Sequence, residues 1–378
     1  MKIAIDVSPL LTPMTGIGYY WKSKLEKMFE LLKSEEKIIL YAFYWNDFPN
    51  RSIEIRKKFS DFFIEKKIPE RFLEIIVSKF SPCNFDKLLG RPDAVNFTSL
   101  KFPETNAKKI FTLYDISFIE NNEFHTISER KKHISAYNKI INSKEHIVTI
   151  SEFSKKRIIE ISKIPANRIS AIYPALPEEI SKHILKSDSE VFKKFTIRKP
   201  FILFNGTIEP RKNITNLVNA YILSKAYKDG VQLVISGKFG WHCEKIFNGF
   251  SEYDKSLILF TDYIKRDELF DLYNSALMFI YPSLYEGFGL PVIEAMSFGC
   301  PVITSGIEVI REAAGDSAVF VNPKKISEIT DAINTLFEDS SMRKKYSDAG
   351  FLRAEKYMGT TQAQKLLELY RSIAKGAS

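Results

Sequence analysis

Four charged side chains in the second half of this 378-residue chain have the types and spacing to hold a phosphate ester flanked by hydroxyls. Arg211 and Lys212 are adjacent. A guanidinium grips a diphosphate through paired hydrogen bonds, and an ammonium meets it as a point charge. Glu286 and Glu294 stand in an E-x7-E spacing. A carboxylate cannot neutralise a phosphate, but it accepts from paired hydroxyls, and hydroxyl-rich groups on either side of a phosphate describe a nucleotide sugar. Taken singly, each residue reads more plainly as a helix-capping or solvated charge. Two cations at a helix start oppose the helix dipole, however, and a nearby anion would resolve that conflict.

The elements that must position these residues are legible around them. An apolar run at 277–281 reads as a buried strand, followed by a loop in which Gly287 and Gly289 flank Phe288. Pro291 sits where a helix takes its first residue and Gly299 where that helix stops, before a second strand at 300–304. The backbone N–H groups of Gly287, Phe288, Gly289 and Leu290 thus lie at a helix N-terminus, which suits an anion. Upstream, a strand at 201–205 runs into Gly206-Thr207-Ile208-Glu209-Pro210-Arg211-Lys212-Asn213 and then a helix through Ile214, Leu217 and Val218. Strand–loop–helix units of this kind place ligands at the carboxyl ends of strands. Strands at 231–237 and 257–261, a turn at Tyr263, a helix at 268–276 and elements at 310–314 and 318–323 complete an α/β alternation.

The first half has the same grammar with weaker motifs. A strand at 3–7 feeds a GxG turn at Gly16 and a helix carrying Trp21, Leu25, Met28, Phe29 and Leu32. Strands follow at 38–44 and 109–114, the latter leading into Asp115, and another at 147–150 precedes a helix entered through Ser151. Residues 51–80 mix Lys and Arg with Phe and Ile. They suit an amphipathic helix, lying on a membrane surface or packed on a core with a solvated basic face. Residues 176–200 are charged, weakly periodic and Pro-bounded, which reads as a linker. Asp188-Ser189-Glu190 within it resembles a metal-binding DxD but lacks an adjacent strand and is discounted.

Length points to two domains, and 45% hydrophobic with 27% charged residues is ordinary globular composition. No apolar run approaches the ~20 residues needed to cross a bilayer, and the opening MKIAIDVSPL enters a strand rather than a signal peptide, so a cytoplasmic location is expected. Three cysteines, Cys83, Cys243 and Cys300, are too far apart for a disulfide framework or zinc site. The net charge of +9 divides into about +10 over 1–200 and about −1 over 201–378. A basic first half suits an acidic partner such as membrane headgroups, a lipid diphosphate or a nucleic acid. Codon bias, which the richness in Ile, Phe and Asn suggests, is the alternative, and it leaves the asymmetry unexplained.

The segments 205–213 (G-T-x-E-P-R-K-N) and 281–304 (with E-x7-E) resemble those of retaining family-4 glycosyltransferases of the GT-B fold, and the resemblance extends over nearly the whole chain. It implies two Rossmann-like domains with an interdomain cleft: residues 1–185 binding acceptor, 186–358 binding the nucleotide sugar, and a helix within 359–378 returning to the first domain. It implies that Glu286 contacts the donor sugar and Glu294 the ribose. Arg211 and Lys212 would hold the diphosphate, with Gly16, Gly206 and Tyr263 also lining the donor. Asp115 follows the strand end where many relatives carry a His-Asp pair. Here Tyr114 stands at the histidine position, and His125 lies eleven residues on. The expected reaction is metal-independent transfer of a hexosyl unit, mannosyl or related, from a nucleoside diphosphate with retention. GDP-mannose is the favoured donor, a glycan or lipid-linked glycan the acceptor, and no nucleic acid is expected. A nucleotide-sugar epimerase, a glycosyltransferase acting on nucleic acid or a small molecule, and a silent binding module are the alternatives.

Overall fold

Short runs of β-branched and aromatic residues, buried on both faces, dictate parallel strands covered by helices. The computed structural model of the chain describes residues 1–11, 16–44, 63–67, 82–100, 102–183, 189–240 and 251–376. Two compact units result: Met1–Pro177 with Gly359–Ser378, and Glu178–Met358.

In the first unit, seven parallel strands run β1 (Lys2–Asp6), β2 (Lys37–Tyr44), β3 (Phe63–Lys67), β4 (Ala94–Phe97), β5 (Lys108–Thr112), β6 (His146–Thr149) and β7 (Ile169–Ala171). Their spatial order is β3-β2-β1-β4-β5-β6-β7. The helix Gly16–Glu30 buries Trp21, Leu25 and Met28 against this sheet. Beside it packs the helix Gly359–Lys375, whose buried Ala363, Leu366, Leu367, Tyr370 and Ile373 follow helical spacing. Polar contacts fix that helix too: Asn96 donates to the Tyr370 hydroxyl at 2.6 Å, and Arg371 forks onto both oxygens of Glu36 at 2.8 Å.

In the second unit, six strands are β8 (Phe201–Asn205), β9 (Gln232–Ser236), β10 (Ile258–Asp262), β11 (Met278–Tyr281), β12 (Val302–Ser305) and β13 (Val319–Val321). They lie parallel in the order β10-β9-β8-β11-β12-β13. Each sheet reverses direction of growth once, at β1/β4 and at β8/β11. Such a switch point opens a crevice at the carboxyl ends of its two strands.

Two expectations need correction. Phe63–Lys67, inside the supposed amphipathic helix, is an edge strand in register with β2 from Leu40 to Tyr44; the Phe-Ile pair carries β propensity that overrode the helical charge pattern. The rest of 51–80 lies outside the described residues, as do Cys243 and Asp188. The stretch read as a linker contains the helices Glu178–Lys182 and Glu190–Lys194. Leu176 and Val191 are fully buried, and His183 Nε2 lies 2.9 Å from Asp271 Oδ1. A helix of five residues buries too few side chains to show a period, so composition alone misread it.

Candidate functional site

The carboxyl ends of β8 and β11 bring together Arg211, Lys212 and Glu286, three of the four residues first singled out by their chemistry. After β8, Gly206 N–H bonds the Ser236 carbonyl at 2.9 Å, and the chain then tightens into a 3-10 turn, Pro210–Lys212. Asn213 ends that turn with φ 60°, a conformation Asn tolerates, and its amide donates to the carbonyls of Pro282 (3.1 Å) and Pro323 (2.6 Å). Leu284 N–H bonds the Arg211 carbonyl at 2.8 Å, clamping the loop after β11 onto this turn.

Within this frame Arg211 spans two carboxylates. Its Nε and Nη2 donate to Glu209 Oε1 at 3.0 and 2.5 Å, and its Nη1 donates to Glu286 Oε2 at 2.9 Å. Lys212 Nζ donates to Glu286 Oε1 at 2.6 Å and to the Tyr281 hydroxyl, 4.7 Å from the centroid of that ring. Glu209, Lys212 and Glu286 are buried. The cluster is formally neutral and fully cross-braced, so both cations are fixed in place rather than swinging on flexible stems. Burial pushes the Glu286 carboxyl up, but the charges of Lys212 and Arg211 overcome it and lower it to about 2. Lys212 is lowered by burial and by Arg211, against the pull of Glu286.

Glu294 lies in the helix Leu290–Ser297, buried, with Oε1 accepting from Arg266 Nη2 at 2.8 Å. Gly289 is the N-cap of that helix at φ 103°, and a Cβ there would sit 2.4 Å from Ile310 Cδ1. Leu290 opens the helix. The Phe288 ring is buried against Tyr357, centroids 5.3 Å apart, so Phe288 and its neighbour Gly287 can offer a ligand only main chain. Tyr263, in the turn after β10, is 55% exposed, with Lys238 Nζ 5.6 Å from its ring centroid.

Gly16 and Asp115 belong to the first unit. Gly16 opens the helix Gly16–Glu30, and an added Cβ would meet nothing within 4 Å. Asp115 Oδ1 accepts from the backbone N (2.9 Å) and Oγ (2.7 Å) of Ser117, and that Oγ lies 2.9 Å from His125 Nε2. Asp6 binds Ser8 in the same way after β1, at 2.9 and 2.6 Å. Tyr114 accepts from Trp21 Nε1 at 2.9 Å and donates to the Thr98 carbonyl at 3.1 Å. Burial pushes its phenol well up, so it is no proton acceptor near neutrality.

Three participants escaped the sequence. Glu209 was inside a quoted motif, but its grip on Arg211 had no spacing signal. Tyr281 looked like the last residue of a strand and nothing more. Arg266 is a cation at the first position of a helix, where the dipole disfavours it, and that was the available clue. Among the described residues no group of three or more His, Cys, Asp or Glu could hold a metal ion, and no helix is long and apolar enough to cross a membrane.

Residues 187–353 match the family described as glycosyl transferases group 1. Over its full length the chain is similar to O-antigen chain mannosyltransferase B of Escherichia coli, 27% identical and covering 99% of this chain and 100% of that protein. Its fold is shared with sucrose-phosphate synthase of Thermosynechococcus elongatus (TM-score 0.75, 18% identity, 100% of both chains). It is shared also with Anabaena HepE in complex with UDP-glucose (TM-score 0.74, 16% identity, 98% of this chain and 100% of that one). Two parallel doubly wound sheets, with the braced Arg211–Glu286–Lys212 cluster at the switch point of the second, give the chain the GT-B fold, and its second unit carries the match to the group 1 glycosyl transferases.

Proposed function

We propose that this chain is a glycosyltransferase that moves a hexosyl unit, mannosyl or a close relative, from a nucleoside diphosphate to a hydroxyl of a glycan or lipid-linked glycan. The transfer retains anomeric configuration and uses no metal cofactor. The observation that carries this reading is the cluster at the ends of β8 and β11, where two fixed cations share one buried carboxylate. The mannosyl assignment leans on the name of the E. coli relative, and GDP-mannose is the donor proposed with it.

In the proposed reaction the acceptor oxygen bonds C1 of the sugar on the face from which the diphosphate leaves. The C1–O bond to phosphate breaks, and the acceptor's proton passes to a phosphate oxygen. Negative charge grows on the departing diphosphate, where Arg211, Lys212 and the main chain at 287–290 stabilise it. Glu286, with both oxygens held by cations and its carboxyl lowered to about 2, is a weak base and a poor nucleophile. That favours a sugar-positioning role over the covalent route of retaining glycosidases. Asp115 is assigned to the acceptor side, in the first unit. The basic first half suits the cytoplasmic face of an anionic membrane, and the helix Ile127–Asn142 exposes Lys131, Lys132 and Lys139 there.

The test is transfer to glycan acceptors by the full chain, with product configuration read by NMR and EDTA present throughout. Arg211→Ala and Glu286→Ala should each lose about 10²–10³ in rate. Full transfer by Arg211→Ala would sink the reading. Donor turnover without acceptor would favour an epimerase, and salt-sensitive duplex binding a nucleic-acid acceptor. Cosedimentation with anionic but not neutral vesicles tests the membrane assignment.

A further inference from the structure

We propose that Arg266 is a positioning residue for the nucleoside half of the donor, acting through Glu294; this rests on the reading of Glu294 as the carboxylate that holds the ribose. The helix Arg266–Ser275 starts with two cations, Lys265 at its N-cap and Arg266 at its first residue, where aligned peptide dipoles already place partial positive charge. Arg266 is not there as a solvated charge. Its side chain is 15% exposed, its guanidinium lies 5.1 Å from the centroid of Phe270, and its Nη2 meets Glu294 Oε1 at 2.8 Å. Glu294 is 6% exposed on the same measure. A buried carboxylate without a counter-charge is costly, and Arg266 is the cation that meets this one.

The pair also joins elements that the sheet keeps apart. The two helices follow β10 and β11, which are separated in the sheet by β9 and β8. The chain between β10 and Arg266 is the short turn carrying Tyr263, exposed and under Lys238. Holding Arg266 on Glu294 therefore sets that turn relative to the carboxylate. The ribose contact and the aromatic turn beside it are fixed as one body. Because the guanidinium bonds Oε1, a ribose hydroxyl can bond Oε2 without displacing it.

The experiment measures binding of GDP and UDP, their 2′,3′-dideoxy counterparts and inorganic pyrophosphate to the full chain. The native protein is expected to prefer the ribose form of its nucleotide by about tenfold or more. Arg266→Gln should lose about tenfold for the ribose form, shrink the preference to about twofold, and leave pyrophosphate binding unchanged. Arg266→Lys, which keeps the charge, should restore most of the preference. In the Glu294→Gln, Arg266→Gln double variant, where neither buried charge is left without its partner, there should be no loss beyond that of Glu294→Gln, a result that stands even if the single Arg266 variant fails to fold. An undiminished ribose preference in Arg266→Gln, a parallel loss of pyrophosphate binding, or a further loss in the double variant overturns the proposal. If Glu294→Gln itself keeps the full preference, the ribose reading of Glu294 has failed instead.

Discussion

Glu286 is governed by what surrounds it, both of its oxygens being held by cations. Its carboxyl is lowered from 4.5 to about 2, so the stabilisation it draws from Lys212 and Arg211 is complete above about 4.5 and is lost as pH falls toward 2. Acid inactivation between pH 7 and 5 should therefore not come from Glu286. Lys212→Met removes the larger of the two charge effects while burial remains, so the acid limb of its pH–rate profile should move upward, by about one unit or more. An unmoved limb would mean that another group titrates there. Gly289 gives a sharper steric test: Gly289→Ala combines a φ of 103° with a contact of 2.4 Å to Ile310 Cδ1. It should cost about 2–4 kcal/mol in thermal or denaturant unfolding, against near-neutrality for Gly16→Ala, where the space is open. Arg211, Lys212 and Glu286 were legible in the sequence because they lie in the loops that follow β8 and β11, and Glu294 because Pro291 and Gly299 bracket its helix. Glu209 and Arg266 were not, because their roles come from partners that only the tertiary fold supplies.

At the scale of elements, the site depends on how closely strand ends approach. Gly237, after β9 at φ 141°, has no room for a side chain, since a Cβ would fall 1.9 Å from the Gly206 carbonyl oxygen. That obstacle is backbone and cannot rotate away. Gly237→Ala should thus cost more than about 3 kcal/mol, or displace the loop that carries Arg211 and with it nucleotide binding; a variant with native melting and affinity would refute the close approach. Most strands buried on both faces were read within a residue or two, since their apolar runs are unbroken, but β4 was passed over: its four residues are all buried, and Asn96 interrupts the apolar run. The helix carrying Glu294 was bracketed correctly by Pro291 and Gly299, which act through backbone geometry that neighbours cannot overrule. Elements with little to bury went astray: β3 lies at a sheet edge, and the helices Glu178–Lys182 and Glu190–Lys194 have five residues each. Burial decides such segments, and burial is not local.

For the molecule as a whole, the second unit is one continuous stretch, Glu178–Met358, whereas the first is assembled from both ends of the sequence. A fragment spanning 178–358 should fold cooperatively by itself and retain nucleoside diphosphate affinity within about tenfold, measured by thermal shift and calorimetry. A fragment of 1–177 lacks the helix Gly359–Lys375 that covers Trp21, Leu25 and Met28, and should be molten or aggregated until a peptide of 359–376 is added. This arrangement also puts a clock on synthesis. The ribosome makes the strands of the first unit, then the whole second unit, and only then the helix that seals the first. At about 5–20 residues per second the interval is roughly 10–40 s. For that time the earlier-made unit waits half-finished while the later-made one completes its fold. The nascent chain is thus most exposed to chaperones and proteases at its oldest residues rather than its newest.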